Sequence, residues 1–255
     1  MKKNDFNDFH RPLVAENIIF LDEVGSTNDY AKDLGRNGAL AGTVIIANAQ
    51  TAGRGRLGRI WDSGDAEGIY MSVLLKPRKN PAHLTLMAGV CVANVLSRIL
   101  GDTKALIKWP NDVIVGGKKI CGILTEGGTF GAVLGIGINV GREKFPLELA
   151  DKATSLRILT GLCYDRAEII KMLLTELSVR YERFDIGGIR TFIVEYKDLC
   201  VNIGNDVMVH GNDGTYKAVA IDIDNDGRLL VKLEDGERCV LNSGEVSVRG
   251  VYGYL

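Results

Sequence analysis

The 255-residue chain carries 31 Lys and Arg against 32 Asp and Glu, a formal net charge of −1, and so has no general attraction for nucleic acid or an anionic membrane surface. Its five cysteines (91, 121, 163, 200 and 239) contain no CxxC pair, and its three histidines (10, 83 and 210) have no metal-ligand spacing, which argues against a disulfide framework or a zinc site. The basic N-terminus has no apolar stretch behind it and no apolar run reads as long enough to span a bilayer, so the expected location is a reducing cytoplasm, with no membrane and no DNA partner.

Residues 17–24 (NIIFLDEV) are expected to form the first strand. Ser26, with Asp29 three positions on, reads as a capping box opening a helix that Gly35 or Gly38 ends. Residues 43–48 (TVIIAN) make a β-branched strand leading straight into residues 50–59, QTAGRGRLGR, in which three glycines interleave with three arginines. Glycine lets the backbone approach an anion closely, and arginine presents a planar fork to carboxylate or phosphate. The loop therefore reads as a place where two anionic groups meet. The glycines at 53, 55, 58 and 64 imply a segment that is mobile until ligand arrives.

Residues 69–75 form the next expected strand. Pro81 suits the first turn of a helix reaching about Leu100, apolar on nearly every face and hence central. Strands follow at 105–108, 113–115, 120–126 and 131–140, with Gly116-Gly117 turning the second into the third. Asp165 and Glu168 form a second capping box for a helix to about Phe184, and 189–199 is a further helical stretch. After Val201 short alternating strands (206–209, 217–223, 229–233, 238–241, 246–248) are separated by Gly, Asn and Asp turns. That texture predicts a small β-barrel or sandwich appended to an α+β core.

Some patterns mislead. Gly53-x-Gly55-x-x-Gly58 matches a dinucleotide fingerprint, but a loop follows where a helix must open. Residues 222–227 (DIDNDG) imitate the start of a calcium loop, yet position twelve is Leu233 and alternating strands flank it, so an Asp-Gly hairpin is expected. Cys121 has no flanking histidine and reads as a small packing residue.

The loop at 50–59 is followed in order by Lys108-Trp109-Pro110-Asn111-Asp112, Lys119-Ile120-Cys121-Gly122-Ile123-Leu124 and Gly135-Ile136-Gly137-Ile138-Asn139, and preceded by Gly25-Ser26-Thr27-Asn28. Together these segments resemble the biotin–protein ligases, from about Phe20 to the C-terminus. The resemblance implies a mixed β-sheet with packed helices, like class II synthetases, over residues 1–201, and a C-terminal SH3-like β-barrel over 202–255. It implies ATP-dependent activation of biotin as biotinyl-5′-AMP, with Mg2+, and transfer to a lysine of a biotin carboxyl carrier protein. Lipoate–protein ligase is the nearest rival, and a non-catalytic biotin sensor the rival of another class.

Joining a carboxylate to an amine in water requires activation, and the barrier is the meeting of two anions with charge growing on phosphoryl oxygens. By resemblance Gly53, Arg54 and Arg56 face the biotin carboxylate and α-phosphate, with Arg59 nearby. Ser26, Thr27, Asn28 and Gln50 belong to the biotin side, with the Ser-Thr pair and Gln50 approaching the ureido ring, and Lys119 and Gly122 contact biotin. Lys119 follows the Gly-Gly turn at a strand start and is expected to stabilise charge in both half-reactions. Asp112 is a partner either for metal-bound phosphates or for Lys119. Asn111 and Asn139 carry amides suited to adenine, and Trp61 an aromatic face for it, whereas Trp109 reads as core.

Leu57 departs from the arginine common in relatives, and Cys121 stands where alanine or glycine is usual. About twenty residues precede the first core strand, too few for the winged helix-turn-helix of bifunctional relatives, so no repressor activity is expected. Exposed strand edges are compatible with a homodimer by sheet extension. Arg249, in the ending Ser243-Gly244-Glu245-Val246-Ser247-Val248-Arg249, is expected to be structural or acceptor-facing.

Overall fold

The computed structural model describes residues 1–6, 15, 17–63, 67–211, 214–243 and 246–250. Gly64, expected as a loop hinge, and Gly244 and Glu245 of the C-terminal motif lie outside the described residues, as does the side chain of Arg249.

The core is a seven-stranded sheet built from β1 (Asn17–Val24), β2 (Thr43–Gln50), β3 (Gly68–Leu75), β4 (Leu106–Lys108), β5 (Asp112–Val115), β6 (Lys118–Gly128) and β7 (Gly131–Asn139), in the order β1-β2-β3-β7-β6-β5-β4. Only β1 and β2 are parallel, and the crossover this requires is helix α1 (Thr27–Arg36). The remaining pairs are antiparallel, beginning with β2–β3. Alternation then sorts the side chains onto two faces. Ile45, Leu74 and Val133 pack with Ala31 and Phe130 under α1. Val44, Ile46, Val73, Leu75 and Leu134 join the larger core beneath α2 (His83–Leu100) and α5 (Arg166–Gly187). Strand β3 is buried at every position because both faces are covered.

Helix α2 corrects one expectation: by length and mean hydropathy of 1.5 it is apolar enough to cross a bilayer. Its apolar surface is instead taken up inside the protein, where 67% of it is buried. It begins at His83, with Pro81 and Ala82 in the preceding turn. The first predicted capping box also fails. Ser26 is the N-cap residue of α1 but its side chain makes no cap bond; Gln50 Oε1 accepts the Thr27 N–H at 2.9 Å instead. In the second, Asp165 accepts the Ala167 N–H at 2.8 Å, while Glu168 pairs with Lys171 rather than closing the box.

Two short helices, α3 (Leu147–Ala150) and α4 (Leu156–Thr160), were not anticipated. The stretch expected as one helix at 189–199 is a 3-10 turn (Gly188–Thr191) followed by α6 (Ile193–Leu199). Gly116 and Gly117 both have positive φ (56° and 78°), as a tight turn between twisted strands demands.

Five further strands, β8 (Asp206–Gly211), β9 (Gly214–Ile223), β10 (Leu229–Lys232), β11 (Arg238–Leu241) and β12 (Ser247–Gly250), form a separate antiparallel sheet in the order β11-β10-β9-β8-β12. Residues 222–227 make the β9–β10 turn: Asp224 accepts the backbone N–H groups of Asp226 and Arg228 (both 2.9 Å) and pairs with the Arg228 side chain at 2.7 Å. The turn docks on the core, where Trp109 donates from Nε1 to the Gly227 carbonyl (3.0 Å) and His83 Nε2 lies 3.0 Å from the Asp226 carbonyl.

Candidate active site

A cavity of about 820 Å3, counting its open mouth, lies over β3, β7, β6 and β5 beneath the arginine-glycine loop. Every site residue predicted from sequence lines it except Gly53 and Asn139. Gly53 sits behind the wall: a Cβ there would come within 2.7 Å of Ser63 Oγ. Asn139 is buried at the end of β7 and donates from Nδ2 to the Thr154 carbonyl at 3.0 Å.

The loop is folded over the cavity by its own backbone. Gly55 N–H donates to the Arg59 carbonyl (2.7 Å) and Trp61 N–H to the Gly53 carbonyl (2.9 Å). Leu57 at its turn has φ 55°, the left-handed region disfavoured for a side chain with a Cβ. Beyond the turn, Arg142 donates to both carboxylate oxygens of Asp62 (2.7 and 3.2 Å). Tyr70 donates its hydroxyl to the Ser63 carbonyl, and burial raises its pKa to about 12, which keeps the donor protonated.

Lys119 and Asp112 meet at the cavity floor, Nζ to Oδ1 2.5 Å. Simple alternation along β6 would send Lys119 to the core face with Cys121 and Ile123. A bulge prevents this: Val113 pairs with Cys121 but Ile114 pairs with Lys119, leaving Ile120 without an opposite number on β5. The side chain of Lys119 therefore crosses Gly122, where an added Cβ would stand 3.1 Å from its Nζ. The bulged backbone is satisfied elsewhere. Lys119 N–H donates to the Lys152 carbonyl and its carbonyl accepts from Thr154 N–H, both at 2.8 Å.

Arg56 donates from Nη1 to Asn111 Oδ1 (3.0 Å) and from Nη2 to the Val246 carbonyl (3.3 Å), linking the loop, the β4–β5 connection and the residue that precedes β12. Burial pulls its pKa below the ordinary arginine value, with Asp112 opposing the shift. Asn111 also donates from Nδ2 to the Ile123 carbonyl (3.1 Å), so much of its amide is committed to the scaffold. Trp61 lies across Gly122 and Gly137, whose added Cβ atoms would each come within 2.7 Å of its ring, and Lys119 Nζ is 5.3 Å from the ring centroid. Its indole Nε1–H is buried and unpartnered. Arg59 lines the cavity while remaining exposed to solvent.

At the opposite end, Thr27 Oγ1 and Gln50 Oε1 are 3.0 Å apart, and Gln50 Nε2 donates to Ser63 Oγ at 3.0 Å. Fully buried Ser72 lies 2.8 Å from Thr27 Oγ1 and 2.6 Å from Asn28 Oδ1. Sequence reasoning missed Ser72, Ser63, Tyr70 and Arg142, because a lone polar residue inside an apolar strand, or one following a motif, carries no spacing signal. Burial drives the Cys121 thiol far up, consistent with a packing role.

A cavity with a cationic loop at one end, a lysine–carboxylate pair on its floor and amide and hydroxyl groups at the other defines an acid-activating ligase site. The family profile described as Biotin/lipoate A/B protein ligase family matches residues 21–142, and Biotin protein ligase C terminal domain matches 202–249. Bifunctional ligase/repressor BirA of Bacillus subtilis is 36% identical over 88% of this chain and 72% of that protein. Biotin--[acetyl-CoA-carboxylase] ligase of Mycobacterium tuberculosis is 34% identical over 88% of this chain and 86% of that one. The biotin protein ligase from Aquifex aeolicus, solved with biotin and ATP, superposes with a TM-score of 0.82 at 34% identity, covering 92% of this chain and 99% of that structure. The chain belongs to the biotin protein ligase family.

Proposed function

We propose that this chain activates biotin with ATP as biotinyl-5′-AMP and transfers the biotinyl group to a lysine of a biotin carboxyl carrier protein. The observation that carries this reading is the convergence, in one cavity, of the Lys119–Asp112 pair, the loop arginines and the Thr27–Gln50 end. In the first half-reaction a biotin carboxylate oxygen attacks the α-phosphorus of ATP and pyrophosphate leaves. Lys119 offsets the charge where the two anions meet, and Arg54, Arg56 and Arg59 receive the carboxylate and phosphates. In the second, the acceptor lysine's amine attacks the anhydride carbonyl and AMP leaves, with Lys119 again stabilising the developing charge.

The ureido ring is assigned to Ser26, Thr27, Asn28 and Gln50, whose polar atoms a dithiolane would strand, which favours biotin over lipoate. The indole of Trp61, lying on Gly122 and Gly137, suits the apolar chain of biotin better than the adenine role expected from sequence. Adenine is left to Asn111, since Asn139, expected from sequence to share that role, lies outside the cavity with its amide donated to the Thr154 carbonyl. Magnesium is typically held by one or two carboxylates together with phosphates. Asp112, which lines the cavity, is the carboxylate that would hold such an ion together with the phosphates of ATP.

We assign residues 1–201 to the catalytic domain and 202–255 to the C-terminal domain, a division supported by the separate sheet beginning at Asp206. A cytoplasmic location, and a homodimer through the edge strands, remain part of the proposal; DNA and membrane do not, given the near-zero net charge. The test is intact-mass measurement of an apo carrier domain incubated with the protein, Mg-ATP and biotin or lipoate. Addition of one biotin and no lipoate is expected; lipoate loading alone would overturn the assignment.

A further inference from the structure

Outside the cavity wall, one carboxylate joins three elements. Glu126, on β6, accepts from Asn28 Nδ2 at 2.8 Å and from Lys32 Nζ at 2.9 Å, both on α1, and lies 3.5 Å from Arg54 Nη2 on the loop. Asp29 completes the cluster, 2.6 Å from Lys32 Nζ and 2.8 Å from Arg54 Nη1. Lys32 and Glu126 are largely shielded, with 12% and 21% of their side-chain surfaces exposed, so solvent screens this pair far less than a surface one. Burial raises the Glu126 pKa, but hydrogen bonds from Lys32 and Asn28 and the charges of Lys32 and Arg54 outweigh it and hold the carboxyl below its ordinary value. The carboxylate is thus ionised, and two of its partners, Asn28 and Arg54, themselves line the cavity.

Asn28 connects this cluster inward. Its Oδ1 faces Ser72 Oγ, which also meets Thr27, which in turn meets Gln50. A continuous polar chain therefore runs from the buried end of the cavity, through Asn28 and Glu126, to Arg54 on the outer loop. Nothing in the activation chemistry requires an acidic residue here; a carboxylate facing an arginine reserved for anions would compete with substrate unless it served to hold that arginine in place.

We propose that Glu126 is a positioning residue that fastens the arginine-glycine loop over the occupied biotin cavity, acting through Asn28 on one side and Arg54 on the other. This rests on the ligase reading above. Biotin seated against Asn28 and Thr27 steadies the inner end of the chain, Glu126 transmits that order to Arg54, and the loop stays closed. Lys32 supplies the charge that keeps Glu126 in place, and Asp29 is the second, more exposed hold on Arg54.

The experiment measures biotin dissociation and steady-state kinetics of the full chain, with hydrogen exchange of residues 52–62. Glu126→Gln is expected to speed biotin release and raise KM for biotin about tenfold, to leave kcat at saturating substrates within about twofold, and to accelerate exchange in the loop when biotin is bound. Glu126→Asp should recover part of the loss. Asp29→Asn, at the exposed edge of the cluster, should show the same pattern at smaller amplitude, which keeps the test intact if Glu126→Gln fails to fold. Wild-type-like release and loop exchange in both variants, or a fall in kcat with KM unchanged, would overturn the proposal. Failure of the wild type to bind biotin at all would instead overturn the ligase reading.

Discussion

Lys119 and Asp112 stand 2.5 Å apart on adjacent strands only because a bulge at Ile120 turns the lysine away from the core side it would share with Cys121. The pair fixes the lysine's ammonium at the cavity floor while leaving it hydrogens for two substrates. Asp112→Asn keeps the shape and removes the charge. We expect kcat for adenylate formation to fall by roughly 10²-fold, the scale for removing a group that organises transition-state charge, with biotin affinity changed less than about threefold. Rapid-quench measurement of pyrophosphate release alongside equilibrium biotin binding checks both.

Gly122 is required because two side chains occupy the space a Cβ would take, Trp61 at 2.7 Å and Lys119 at 3.1 Å. Gly122→Val therefore displaces the indole and the lysine together. Biotin binding by calorimetry should drop by more than about 100-fold, on the order of 3 kcal/mol. The melting temperature should change little, since both displaced groups face the cavity rather than the core.

Trp109 lies in the motif next to Asn111 and Asp112 yet donates across to the C-terminal sheet, at Gly227. Replacing it with Phe leaves a buried carbonyl without its donor, a loss of about 1–3 kcal/mol in unfolding free energy. Chemical denaturation should show it, together with reduced activity, because the same contact anchors the β4–β5 connection.

Acid sensitivity should concentrate at Arg180, which donates to Glu176 (2.7 Å) and Glu195 (2.7 and 2.9 Å). Burial raises both carboxyl pKa values, but the bonds from Arg180, with Arg98 for Glu176 and Asn94 for Glu195, hold them below the ordinary 4.5. A carboxyl more acidic in the folded state stabilises the fold fully above its unfolded pKa and loses that contribution as pH falls through the folded one. The stability difference between wild type and Glu195→Gln should therefore be constant at neutral pH and shrink below about pH 4.5. A difference unchanged down to pH 3 would contradict the ion-pair account.

Much of the core was legible because its signals are local. The strands from β1 to β7 carry β-branched runs bounded by Gly, Asn or Pro, and Gly116-Gly117 can only be a turn. The site motifs were legible as a set, since glycine and arginine in one loop and KWPND in the next imply a single chemistry. What escaped was set by tertiary contacts. Gln50, twenty-three residues beyond Thr27, caps α1 in place of Ser26. Asn139 turns to Thr154, and only the bulge decides which face Lys119 takes. The membrane-length apolarity of α2 carries no distinct signal, because burial on nearly every face and bilayer insertion share one composition.

Single-turnover formation of biotinyl-5′-AMP by the wild type and Lys119→Ala, with biotin binding measured on the same samples, tests the central claim most directly. The account predicts that wild type forms the adenylate and that Lys119→Ala, still folded and still binding biotin, forms it at least about 10²–10³-fold more slowly. Adenylate formation at the wild-type rate in Lys119→Ala would contradict the assignment of the charge-stabilising role to this lysine.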